Sequence, residues 1–130
     1  MSLRWVDRTP GDRVDTQNGT DVSFRVRGFV VSMRSEWFLI TSGHVLKEIE
    51  QDLLAGHKLE EWTLEVEDHP GAASHVLIPF AFAEAEKRSW SDRGEGDYGF
   101  VHLKSEYPPL LETNGIVAMD ERAWRISGDF

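Results

Sequence analysis

The sequence predicts a mostly β fold, with roughly five or six short strands and two small helices. Three observations carry that expectation. Val22, Phe24 and Val26 alternate with Ser23, Arg25 and Arg27, and Trp62, Leu64 and Val66 alternate with Thr63, Glu65 and Glu67. That is the period of a strand with one buried face. The apolar runs are short and bounded by turn formers. Only two stretches, from His44 to Leu54 and from Pro108 to Thr113, carry helical spacing or helix-opening residues.

Taken in order, residues 7–20, DRTPGDRVDTQNGT, are polar and rich in turn formers and read as an entry loop. Residues 1–21 are therefore expected to be an N-terminal extension, and 22–130 a single domain. The alternation from Val22 is interrupted by Gly28 and resumed by Phe29-Val30-Val31; MRSE at 33–36 reverses the chain, and WFLIT at 37–41 returns as the second arm of a hairpin. At His44 the pattern turns helical, with Val45, Leu46, Ile49, Leu53 and Leu54 on one side and Gly56 as the stop. A one-sided strand follows at 62–67. VLIPFAF at 76–82 is apolar on both faces, and Pro79 makes it an edge or bulged strand. Residues 84–96 read as a polar connection, and DYGFVHL at 97–103 as a strand. PPLLET opens a short helix closed by Asn114-Gly115, and IVAM at 116–119 forms a last strand.

Composition narrows the function classes. The chain has 130 residues, no cysteine and a formal charge of −9, from 23 acidic against 14 basic residues. Without cysteine there is no disulfide framework and no thiolate metal cluster. Nucleic acid is not an expected partner, because phosphate backbones are held by clustered Lys and Arg and none is present. No apolar run approaches the length of a membrane span, and MSLRWVDRTPGDR lacks the apolar centre of a signal peptide, so a soluble, cytoplasmic protein without a membrane partner is expected.

The stretch FLITSGHVLKEI at 38–49 runs a strand into Ser42-Gly43, then a histidine, then a helix. A small pair there lets other segments approach closely, and rigid elements on both sides would hold the His44 imidazole at the mouth of a sheet, as a catalytic base requires. A surface or capping histidine satisfies the same pattern. Fifty-three residues downstream, in GEGDYGFVHL, Asp97 heads a strand. A carboxylate there is either a solvated turn residue or, if it accepts a hydrogen bond from His44, the group that fixes the ring tautomer and stabilises the imidazolium.

Together these stretches resemble the trypsin-like (chymotrypsin-fold) serine peptidases. Gly28-Phe29-Val30-Val31, then Leu39-Ile40-Thr41-Ser42-Gly43-His44-Val45, is similar to that family's first-barrel pattern, and DYGFVHL is similar to its aspartate strand. The order His before Asp is that of the chymotrypsin arrangement. Val45 stands where secreted members often carry cysteine, so the likeness is to the disulfide-free bacterial-type branch. It covers roughly residues 22–119. The resemblance implies a six-stranded antiparallel Greek-key barrel with one or two short helices, His44 as general base, Asp97 as its orienting carboxylate, and a protein or peptide substrate. It implies no cofactor and no metal.

The family's nucleophile comes later, in a Gly-x-Ser-Gly-Gly loop of a second barrel, on the order of ninety residues past the aspartate. Only 33 residues follow Asp97 here, and the late RISGDF, with Ser127, lacks both the preceding glycine and a donor loop. Ser105 lies in a polar turn and Ser42 is two residues before the histidine; neither has the context of a nucleophile. The expectation is the N-terminal half of a serine endopeptidase, inactive alone, with its second barrel absent. The abrupt end on Gly-Asp-Phe favours truncation. The alternative is a non-catalytic, degenerate peptidase-like module whose His44/Asp97 face binds a protein partner or a second copy of itself.

Other constellations carry less. His69 and His75 flank HPGAASH near Asp68, but six-residue spacing in a loop defines no metal geometry. SDRGEGD offers Asp92, Glu95 and Asp97 around glycines without the twelve-residue calcium-loop pattern. The five tryptophans have no basic groove around them and read as packing residues.

Overall fold

The computed structural model describes residues 1–9, 22–67, 75–92 and 96–120. Eight strands and two helices lie within them: β1 (Ser2–Asp7), β2 (Val22–Met33), β3 (Glu36–Thr41), α1 (Gly43–Leu54), β4 (Leu59–Glu67), β5 (His75–Pro79), β6 (Lys87–Asp92), β7 (Gly96–Leu103), α2 (Tyr107–Thr113) and β8 (Met119–Asp120). A single 3₁₀ turn at Phe82–Glu84 separates β5 from β6. The fold is mostly antiparallel β sheet with two short helices. Its strand order is β5-β4-β1-β2-β3-β7-β6, with β8 attached to β2 in parallel.

The long strand β2 organises the sheet. Its first half, Val22 to Arg27, pairs with β1, and its second half, Gly28 to Met33, pairs with β3. Gly28 stands at the change of partner, where an added Cβ would lie 2.5 Å from the Ile40 carbonyl oxygen, so a side chain there would force the strands apart. The reversal between β2 and β3 is a two-residue turn in which both Arg34 (φ 52°) and Ser35 (φ 67°) are left-handed. That geometry matches the twist of the flanking strands, though neither residue favours it.

Side chains alternate as the period-2 pattern requires. Leu3, Val30, Leu39, Leu64, Val101 and Leu103 form the floor of the core, and Leu46 and Ile49 of α1 and Leu111 of α2 close over it. An aromatic column fills one end. Trp62 stacks on Trp5 at 5.2 Å and on Phe82 at 4.0 Å, while Phe80 meets Tyr107 edge-on at 5.0 Å. Two of the tryptophans are thus packing residues, as expected.

Several boundaries differ from the sequence reading, each for a physical reason. The extension expected over 1–21 contains β1, an interior strand bonded to both β2 and β4. Its buried residues include Ser2 and Asp7, which hides the alternation of Leu3 and Trp5. The polar connection expected over 84–96 contains β6, whose residues Lys87 to Asp92 lie at the end of the strand path, where a charged sequence is tolerated. β4 begins earlier than expected, at Leu59, and accommodates a bulge opposite β1 in which Glu61 takes φ 55°. The apolar run 76–82 leaves the sheet at Pro79, and β5 is a terminal strand of the path, as the proline requires. The expected last strand is reduced to Met119–Asp120. Among the described residues no ladder joins β5 to β6, so the sheet is not closed and the strands number eight rather than six.

No described helix is long and apolar enough to cross a membrane.

Candidate active site

The strand-to-helix junction at residues 41–44 is built by close packing. Thr41 pairs with Gly28 on one side and Gly99 on the other. Its buried hydroxyl donates to the Arg27 carbonyl at 2.7 Å, tying the end of β3 to β2. At Gly99 an added Cβ would lie 2.7 Å from the Arg88 carbonyl oxygen and 2.7 Å from Leu46 Cδ1. The bare backbone at Gly99 is what lets the first turn of α1 settle on β7. Gly43, the first residue of α1, is buried and has no positive φ.

That seating brings together the two residues singled out in the sequence. His44 lies in the first turn of α1 and Asp97 is the second residue of β7. His44 Nδ1 hydrogen-bonds Asp97 Oδ2. The His44 backbone N–H donates to Asp97 Oδ1 at 2.6 Å, and the Ser42 hydroxyl donates to Oδ2 at 2.9 Å. An ionised carboxylate can only accept, so in the neutral ring Nδ1 carries the proton and Nε2 presents its lone pair. Among the described residues Nε2 makes no hydrogen bond.

The electrostatics follow from these bonds. The hydrogen bond that His44 donates to Asp97 raises the His44 pKa above its ordinary value, against a smaller opposing effect of desolvation, with the charges of Asp97 and Glu48 adding to the rise. The reciprocal bond from His44 lowers the Asp97 pKa, helped by the His44 N–H and the Ser42 hydroxyl. A carboxylate that stays ionised and an imidazole that gains a proton readily are what a general base and its orienting partner need.

The pair stands in the open, with 57 % of the His44 side chain and 39 % of the Asp97 side chain exposed. A groove of about 240 Å³ between α1 and β6, lined by Leu46, Ile49, Leu53, Phe82, Lys87 and Arg88, includes neither residue. Among the described residues, that groove gives the dyad no wall.

Ser42 is the site residue that local sequence rules mis-assign. A serine before a helix reads as an N-cap, and Ser42 does occupy the N-cap of α1, yet its side chain makes no capping bond. Its hydroxyl is engaged with Asp97 and lies 2.8 Å from His44 Nδ1.

A second histidine–carboxylate contact lies beyond the other end of α1. Gly56 (φ 91°) closes the helix in a Schellman motif, with His57 N bonded to the Asp52 carbonyl and Gly56 N to the Leu53 carbonyl. His57 Nδ1 then meets Oδ2 of the fully buried Asp7 at 2.9 Å, and Thr9 supplies its backbone N–H and its hydroxyl to Oδ1 at 2.9 and 2.6 Å. The sequence offers no local signal for a contact between residues fifty positions apart. His102 bonds Glu36 at 3.2 Å and lies against Phe38. His69, Asp68, Glu95 and Ser127 fall outside the described residues, as do the side chains of His75 and Asp92. No protein-family model, curated protein or solved structure matches this chain.

Proposed function

We propose that this chain carries the general-base half of a serine-peptidase site: His44 accepts the proton of a nucleophile at Nε2, and Asp97 holds the ring and stabilises the imidazolium that forms. The observation that carries the reading is the Nδ1–Oδ2 bond between residues 53 apart, with Nε2 directed away from it. The nucleophile and the oxyanion donors come from a further segment or chain packed on this face, and the substrate is a protein or peptide. Ser42 cannot be that nucleophile, because it lies on the Nδ1 side of the ring.

The fold this reading requires is the first barrel of the chymotrypsin type, a Greek-key sheet curled on itself. One feature of the connectivity supports it. β5 and β6, at opposite ends of the strand path, are consecutive in sequence and joined only by residues 80–86. A flat sheet of that many strands would hold its edge strands about 29 Å apart, and a link containing a 3₁₀ turn does not reach that far. A curled sheet would bring those two strands within its reach.

The test is fluorophosphonate labelling of the protein isolated from its native source under non-denaturing conditions. The reading expects a labelled serine on this polypeptide's continuation or on a co-purifying chain, and loss of label in His44→Ala. Residues 1–130 alone should take up no probe. Stoichiometric labelling of that piece, or labelling indifferent to His44→Ala, would refute the proposal.

A second reading, a non-catalytic module that binds a protein partner or itself, draws support from Phe29 and Tyr98, about half exposed on strands that flank the junction. It expects no labelled chain at all and a stable complex in sedimentation.

A further inference from the structure

Two hydrogen-bonding habits are reversed at the start of α1. The serine at the N-cap position does not cap. The His44 N–H, one of the amides a capping side chain would normally accept, goes instead to Asp97 Oδ1, from another strand, at 2.6 Å. A carboxylate in this place also meets the positive end of the helix dipole. Capping has thus passed from Ser42 to Asp97, and the Ser42 hydroxyl is released for another use.

That use is visible in the geometry. The hydroxyl has one proton, and it is given to Asp97 Oδ2 at 2.9 Å. Its oxygen then faces His44 Nδ1 at 2.8 Å with lone pairs only. Nδ1 is flanked by two acceptors, the Asp97 carboxylate and the Ser42 oxygen, and neither has a proton left to offer it. All three described donors to the carboxylate come from the segment 42–44, so the base and its partner are assembled from the start of α1 and the start of β7.

We infer that Ser42 is a positioning residue of the dyad: its hydroxyl restrains the Asp97 carboxylate and locks His44 in the tautomer that carries its proton on Nδ1, leaving Nε2 free to act as base. This deepens the reading of His44 as a general base, but the tautomer can be measured whether or not a nucleophile is ever found.

The experiment is long-range ¹H–¹⁵N correlation NMR of the His44 imidazole in residues 1–130, recorded well above its titration midpoint, for the wild type and for Ser42→Ala, Ser42→Thr and Asp97→Asn. The wild-type ring is expected to show Nδ1 as the protonated, pyrrole-like nitrogen. In Ser42→Ala the share of the Nε2–H form should rise several-fold, roughly three-fold or more by the ordinary worth of one hydrogen bond. Ser42→Thr, which keeps a hydroxyl, should restore the wild-type ratio. Asp97→Asn, whose amide can donate to Nδ1, should move the ring furthest toward Nε2–H. Because Ser42 makes no capping bond, its alanine variant should keep wild-type helix content by circular dichroism. A wild-type ring already in the Nε2–H form, an unchanged ratio in Ser42→Ala, or a threonine variant indistinguishable from alanine would each overturn the assignment. Failure of fluorophosphonate labelling with a positive result here would refute the peptidase reading and leave the role of Ser42 standing.

Discussion

Replacing Gly99 by alanine tests whether the seating of α1 on β7 is what makes the His44–Asp97 pair. The new Cβ would lie 2.7 Å from the Arg88 carbonyl oxygen, 2.7 Å from Leu46 Cδ1 and 3.2 Å from Ser89 Cα, against an optimum of roughly 3.5–4.0 Å between carbon atoms. The Arg88 carbonyl belongs to the neighbouring strand in register with Phe100 and cannot yield alone. Leu46 is buried in the core, so it yields only by lifting the helix turn that carries His44. Overpacking of this kind costs about 1–3 kcal/mol, partly offset by the roughly 0.4–1 kcal/mol that Gly→Ala gains by restricting the unfolded chain. A net loss of about 1–2 kcal/mol should move the urea midpoint down by on the order of 0.5–1 M. In the same protein the His44 imidazole should titrate closer to an ordinary histidine, because Asp97 is left behind. A midpoint that is unchanged or higher, with His44 signals as in the wild type, would show that α1 finds its place without the gap at Gly99.

The remaining expectations follow from single contacts. In the wild type the His44 midpoint, followed by NMR, should lie above the ordinary imidazole value and fall back in Asp97→Asn. The stabilising contribution of His44 is complete below the unfolded-state imidazole value and is lost as pH rises through the raised folded value. That of Asp97 is present above the unfolded carboxylate value and lost as pH falls through the lowered one. The pair therefore contributes most between the two, and thermal denaturation across pH should lose that maximum in His44→Gln. The reversal between β2 and β3 should be stabilised by about 1–2 kcal/mol when Arg34→Asn and Ser35→Gly are combined, since both positions are left-handed; an unchanged melting temperature would contradict the strain assigned to them. Asp7→Ala should cost about 3 kcal/mol in chemical denaturation, because it orphans the Thr9 donors and the His57 ring around a buried site.

The sequence was most readable where local chemistry and tertiary demand agree. The alternation of Val22 to Arg27 becomes the first half of β2, the His44–Leu54 spacing becomes α1 with Gly56 as its stop, and Pro108-Pro109 open α2. It was least readable where partners lie far away. β1 buries Asp7 because His57, fifty residues on, waits for it. β6 is polar because it ends the strand path, which no local rule foresees. Of the site, His44 and Asp97 were visible as residue types at structural junctions. Ser42 was not, because its capping position invites the ordinary reading and only the approach of β7 changes the bond it makes.

These contacts make α1 a tie between the two halves of the sheet, and that has a consequence for how the base is held. One end of the helix meets Asp97 on β7 through His44; the turn past the other end meets Asp7 on β1 through His57. β1 and β7 lie on opposite sides of β2 in the strand order, and among the described residues they share no ladder, so the helix bridges segments that the described sheet connects through β2 and β3. A base held from one side alone could follow any drift of its strand. Held from both, the backbone that carries His44 shifts only if α1 slides against the buried Leu46 and Ile49, and a close-packed core resists that. Cutting the far tie with His57→Ala should therefore loosen the near one: His44, untouched in sequence and thirteen residues away, should titrate closer to an ordinary histidine. A His44 midpoint indifferent to His57 would mean that the first turn of α1 is fixed by Gly99 and Asp97 alone, and that the bridge does not reach the site.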